Sequence, residues 1–318
     1  MARNTNRDAP RRDIAQEITD KLIARLEEGG PLPWRRPWQS STMAMPLRHT
    51  GEAYKGINHL LLSIETFAAG YMSPYWITYR QAKKMDAAVR KGERSSLIVF
   101  YGTAKKNGAA DDPVAGEEGN GGEDHYRFLR GYRVFNADQV EGLPERFHPI
   151  EAEMDTGVRS APEIDAFFAK MPFTIRGGFN HAAYREAGDE IVMPDASRFE
   201  SVGAHAATLC HEGIHATGVE CRLNRDWFAR YHIDKENRAA EELVAELGSM
   251  MLTAHIGIGG EHIDNHAAYC NSWLKALKGD KRFIFKAAAE AQKACDWLLE
   301  RGGRNDAAAQ SAAPAEAA

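Results

Sequence analysis

The sequence predicts an α+β protein of two domains, and three observations carry that prediction. Helix-period apolar runs, several opened by capping residues, recur from Asp13 to Glu300. Between them lie short β-branched and aromatic runs, notably Ser96–Tyr101 and Tyr126–Phe135. A polar stretch over residues 145–158, with Pro144 and Pro149, separates two such sets. The 318 residues are enough for two cores.

Residues 1–12 are polar and basic and read as a flexible arm. Asp13 caps a helix through Glu27, with Ile14, Ile18, Leu22, Ile23 and Leu26 on one face, and Gly29-Gly30-Pro31 stops it. Pro33-Trp34-Arg35-Arg36-Pro37-Trp38 is a rigid turn carrying two Trp and two Arg. Tyr54-Lys55-Gly56-Ile57-Asn58 opens a helix from Leu60 to Ala69. Tyr75-Trp76-Ile77-Thr78-Tyr79-Arg80-Gln81 leads into a basic helix with Lys83, Lys84 and Arg90. Residues 107–124 are Gly-rich and acidic and cannot build a core, so they read as a disordered insertion at a hairpin tip. The first domain is therefore expected over residues 13–145.

The second is expected over 158–300. It begins with a helix from Ala161 to Lys170 and short strands at Phe173–Ile175, Ala182–Tyr184 and Glu190–Met193. Helices at about Ser201–Thr217, Asn237–Leu252, Ala267–Leu277 and Lys281–Glu300 follow. The Ala-rich segment 301–318 reads as a disordered tail.

The chemistry centres on His211-Glu212-Gly213-Ile214-His215, an H-E-x-x-H motif. Residues four apart share a helix face, so His211 and His215 can both address one metal ion, and Glu212 beside them can act as general base toward a water. Two His leave a tetrahedral ion short of a protein ligand. No third His follows at the spacing of the longer His-rich motif. The helix of Asn237–Leu252 offers Glu242 as that ligand. Glu246, one turn on, can orient a ligating His through its free ring nitrogen, and Glu241 is the rival ligand. The competing reading leaves all three as solvated helix charges. Zinc is the default ion for two His and a Glu, with manganese the alternative. Tyr231, His232 and Tyr269 are candidates to stabilise an oxyanion, and Asp189–Met193 to act as an edge strand receiving an extended peptide.

Charge divides along the chain. Residues 1–110 hold 18 Lys+Arg against 10 Asp+Glu, and the remainder 22 against 35, so the first half alone suits a polyanion. Basic residues interleaved with aromatics suit single-stranded nucleic acid, whose phosphates meet cations while bases stack on rings. The candidates are Trp34, Arg35, Arg36, Trp38, Tyr54, Lys55, Trp76, Tyr79, Arg80, Lys83 and Lys84. The opposing reading puts the aromatics in the core. No apolar run reaches the length of a membrane span, the N-terminus lacks a secretory apolar core, and the four cysteines form no C-x-x-C pair; a cytoplasmic protein with free thiols is expected, with no membrane partner.

These motifs occur in an order that resembles the ArdC-type antirestriction proteins of plasmids and phages, which share an N-terminal module with some conjugative primases. The matching segments are Pro33–Trp38, Tyr54–Asn58, Trp76–Ala82, Val89–Glu93, Tyr132–Gln139, Asp189–Pro194, the H-E-x-x-H, Arg222–Arg225 and Glu241–Glu246. The resemblance implies an N-terminal domain that binds single-stranded DNA and a mainly helical, zincin-like metallopeptidase domain of the H-E-x-x-H…E type. It also implies protection of incoming DNA from host restriction. On this reading His211, His215 and Glu242 hold the metal and Glu212 is the catalytic acid/base. The alternatives are a DNA-binding shield whose metal site is structural or vestigial, and a DNA-dependent protease acting on restriction or other DNA-bound proteins. Two departures stand out: Gly213 where the family usually has Leu, and Arg238-Ala239-Ala240 where it often has an aromatic.

Overall fold

The computed structural model describes residues 13–28, 45–105, 125–148, 161–257 and 267–304. The expected arm, the Trp34–Trp38 turn, the 107–124 insertion and the end of the tail lie outside them.

Helix α1 (Ile14–Glu27) starts where the cap requires: the Asp13 side chain accepts from the Gln16 N–H at 3.0 Å. Strand β1 (Leu47–Arg48) follows. Helix α2 (Ile57–Ala69) begins one turn earlier than expected. Its N-cap, Gly56, sits at φ 57° and donates its N–H to Gln292 Oε1 at 2.7 Å, so the end is satisfied by a distant side chain that no local pattern announces. Strand β2 (Tyr75–Ile77) leads to α3 (Tyr79–Lys84), fastened by a reciprocal capping box between Thr78 and Gln81. Strand β3 (Ala88–Val89) precedes a long hairpin, β4 (Ser96–Lys105) and β5 (His125–Asn136), which extends past both expected strands. Strand β6 (Val140–Glu141) pairs with β3. The main sheet has the order β1-β2-β5-β4, antiparallel except for β1 beside β2.

The second half opens with α4 (Ala161–Phe168) and strands β7 (Thr174–Arg176), β8 (Ala183–Arg185) and β9 (Glu190–Val192), ordered β7-β9-β8. The segment expected as an edge strand is thus the central strand β9. The edge beside the metal-motif helix is β8, because sheet order is set by non-local pairing. Helix α5 (Val202–Ala216) is capped by Ser201, whose side chain accepts from Ala204 N–H. A four-residue helix α6 (Asp226–Ala229), too short to give a period, precedes α7 (Lys235–Ile256), capped by Asp234. Helices α8 (Ala267–Gly279) and α9 (Phe283–Arg301) complete the chain, with α9 running one residue into the expected tail.

Helix α7 is buried on nearly every side. It crosses α5 where Gly248 meets Ile214; a Cβ on Gly248 would lie 2.8 Å from Ile214 Cδ1. Gly213 has a similar use, since a Cβ there would meet Phe168 Cε1 at 3.0 Å. The departure from Leu at that position lets α4 approach the metal-motif helix. One hydrophobic cluster joins both halves: Ile18 and Leu22 of α1 and Leu60 and Ile64 of α2 pack in the same core as Leu243, Met250, Trp273 and Leu298. Thr19 Oγ1 donates to the Lys281 carbonyl and Lys55 pairs with Asp296 across the same seam.

Candidate metal centre

Helix spacing alone brings His211 and His215 onto one face of α5, and α7 lays its carboxylates across them. The Nε2 atoms of the two histidines lie 3.2 Å apart. Glu242 Oε2 is 3.5 Å from His211 Nε2, and Oε1 is 3.8 Å from His215 Nε2. Donors held about 2.0–2.1 Å from a tetrahedral ion would stand roughly 3.3 Å apart, so the triangle fits a divalent metal. Among the described residues, His211, His215 and Glu242 form such a group, all buried, with ligand atoms within 4.8 Å of one another.

The outward ring nitrogens are addressed by the two remaining carboxylates. Glu246 Oε1 is 3.4 Å from His211 Nδ1. Glu241 is 3.2 Å from His215 Nδ1 and points away from the ligand triangle. It is the counterpart of Glu246 for the second histidine and not a rival of Glu242. Glu241 is fully buried, and Arg225 supplies its charge balance through Nε at 3.0 Å and Nη2 at 2.6 Å. Arg225 also donates to Thr217 Oγ1 and to the Ile214 carbonyl, tying α7 to the end of α5. None of the three glutamates is a solvated helix charge.

The electrostatics follow from this packing. Burial opposes the charge on Glu242, but the hydrogen bond from His211 and the nearby charge of His215 overcome it and hold the carboxyl at about 2. Burial likewise opposes the ionised Glu241, and the Arg225 charge outweighs it, leaving the group below its ordinary value. The Tyr231 hydroxyl donates to Glu242 Oε1, and burial and that carboxylate raise its pKa. Of the oxyanion candidates, Tyr231 touches Glu242, and burial and the same carboxylate raise the pKa of Tyr269.

Glu212 turns toward β8, where its Oε2 accepts the Tyr184 N–H at 2.8 Å. That backbone contact, invisible in sequence, fixes the carboxylate at the edge of the three-stranded sheet. Tyr184 is itself held by Asp189, which Arg222 grips through Nη2 at 2.6 and 2.5 Å. The Arg222–Arg225 segment thus braces both sides of the site.

The DNA-contact candidates divide. Trp34, Arg35, Arg36 and Trp38 lie outside the described residues. Trp76 is fully buried and packs edge-on against Tyr71, so its ring has no free face; it is a core residue. Tyr54 is 7% exposed and also belongs to the core. Lys55 reaches across to Asp296. Tyr79, Arg80, Lys83 and Lys84 are exposed.

Residues 12–135 match the family model of the N-terminal domain of anti-restriction factor ArdC, and residues 162–290 match that of zincin-like metallopeptidases. The crystal structure of the metal-free antirestriction ArdC protein from plasmid R388 is 45% identical, with a TM-score of 0.76 over 92% of this chain and 98% of that one. The chain belongs to the ArdC family. The Mn(II)-bound structure of the same R388 protein superposes with a TM-score of 0.72. An uncharacterised protein of Sinorhizobium fredii is 37% identical over 289 residues, 91% of its length. A DNA primase TraC of Escherichia coli is 36% identical over 296 residues, which are 89% of this chain and 27% of the primase. The α+β, two-part architecture is therefore the ArdC architecture, and the His/His/Glu cluster is a group that could hold a divalent ion. Among the described residues no helix is long and apolar enough to cross a membrane.

Proposed function

We propose that this protein is an antirestriction factor that binds single-stranded DNA through its first half and carries a metal-dependent peptidase-type centre in its second. His211, His215 and Glu242 hold the ion in this reading, Glu246 and Glu241 orient the two histidines, and Glu212 is the acid/base. The observation that carries it is the convergence of both ring nitrogens and the Glu242 carboxylate beside a Glu212 anchored at a sheet edge. A divalent ion bound there, zinc or manganese, supplies Lewis acidity for a carbonyl and acidifies a water. Glu212 takes the proton of the attacking water and returns it to the leaving amine. Strand β8, as the edge, offers the backbone along which an extended peptide can lie. The free thiols support a cytoplasmic setting, and restriction or other DNA-bound proteins are the proposed protein partners.

Glu212→Ala tests the reading. Antirestriction in a conjugation assay is expected to fall while metal binding and single-stranded-DNA binding persist. Full protection by a metal-loaded Glu212→Ala protein would favour a DNA-binding shield and remove hydrolysis from the mechanism.

A further inference from the structure

One face of the β4–β5 hairpin has no part in the metal centre and was not singled out by sequence. Opposed residues of an antiparallel pair share a face, so the register Ile98↔Tyr132, Phe100↔Arg130 and Gly102↔Phe128 gathers these six side-chain positions. The opposite face presents Leu97 and Val99 to the core, and its Arg133 stands 3.7 Å from Glu17. Phe100 sits between two other rings, with its centroid 6.3 Å from both Phe128 and Tyr132. Phe100 and Arg130 are exposed, and Phe128 and Tyr132 are half-buried. Arg130 lies over the Phe128 ring at 4.7 Å. The far end of the Phe128 ring sits against Gly102: a Cβ there would come within 2.3 Å of Cζ, so glycine is the residue that permits this pose.

We infer that this face, with Phe100, Phe128 and Tyr132 as stacking rings and Arg130 as phosphate contact, is a docking surface for single-stranded DNA. It deepens the DNA-binding reading above and rests on it. Charge selects the occupant: Arg130 stands on this face beside the rings, and neither β4 nor β5 contains an Asp or Glu to repel a phosphate. A row of rings with an arginine beside it, on strands free of carboxylates, is the arrangement that takes unpaired bases, each with a π-face to offer, and that a stacked duplex cannot use.

The test uses the full chain and a fluorescein-labelled oligothymidine in anisotropy titrations over a salt series. Phe100→Ala and Tyr132→Ala are each expected to weaken binding by about five- to a hundredfold. Arg130→Ala is expected to flatten the salt dependence by roughly 0.7 in the log–log slope. Thermal melts report whether each variant is folded. A second measurement needs no variant: a bromouracil-substituted oligonucleotide photocrosslinked to the wild-type protein should label the tryptic peptide Ser95–Lys105, Phe128–Arg130 or Gly131–Arg133. If the wild type binds while folded variants bind equally well and crosslinks fall only elsewhere, the hairpin assignment is overturned and the DNA-binding reading stands. If the wild type does not bind single strands, both fall.

Discussion

Removing Glu241 should harm the protein twice, and the two effects can be measured apart. Its carboxylate is fully buried against Arg225, which is 3% exposed, through contacts at 2.6 and 3.0 Å. Glu241→Ala leaves a guanidinium in the interior without its counter-charge, and breaking such a pair costs about 3–5 kcal/mol. Arg225→Ala strands the carboxylate and should cost a similar amount. The double variant removes both charges, so its cost should fall short of the sum by roughly 1–3 kcal/mol. Urea unfolding followed by circular dichroism, with chelator present, reads this term free of metal. The second effect acts through His215, whose Nδ1 lies 3.2 Å from Glu241. Losing the partner that fixes a ligating ring lowers metal affinity about 10–100-fold, measured by competition with a chromophoric chelator. Additive single-variant costs, or unchanged affinity in a folded Glu241→Ala protein, would refute the view that this buried pair positions the ligand.

Three further outcomes are expected. Manganese or zinc at about a hundredfold over Kd should stabilise the wild type by roughly 2.7 kcal/mol in thermal-shift assays, and His211→Ala or Glu242→Ala should abolish the effect; a metal response surviving in both variants would exclude this site. His59 is 1% exposed with no hydrogen-bond partner at either ring nitrogen among the described residues, and burial, aided by His255, lowers its pKa to about 3. The unfolded chain takes up this proton near pH 6.5 and the folded chain does not, so stability is full above about 6.5 and falls as pH drops toward 3, by roughly 2 kcal/mol between pH 7 and 5; in His59→Met that component should be missing from urea unfolding at the two pH values. Gly248→Ala should destabilise by about 1–2 kcal/mol, because overpacking against Ile214 outweighs the gain in helix propensity, and a rise in melting temperature would count against the close crossing.

How much was legible follows from which contacts are local. The H-E-x-x-H spacing and the Glu242–Glu246 step each lie within one helix, so period alone placed them on common faces. Glu241 stands as a rival ligand in the sequence because its contacts with Arg225 and His215 come from other elements, which helix period does not show. Trp76 looked available amid basic and aromatic neighbours, yet β2 pairs with β5 and turns its ring inward. The hairpin rings lie within the two strands the sequence predicts, but their sharing of one face depends on register, which no single strand announces. Tyr184 left no trace in sequence at all, since it acts on Glu212 through its backbone N–H.

The apolar seam between α1, α2 and the C-terminal helices has a practical consequence. A chain cut between residues 148 and 161 would leave Ile18, Leu22, Leu60 and Ile64 facing water on one fragment and parts of α8 and α9 on the other. Neither piece would make a well-behaved reagent, and a graft of the first half onto another protein would need its C-terminal helical backing as well. The match to the Escherichia coli primase covers 89% of this chain, more than either half alone. The two halves of the chain are built around one floor.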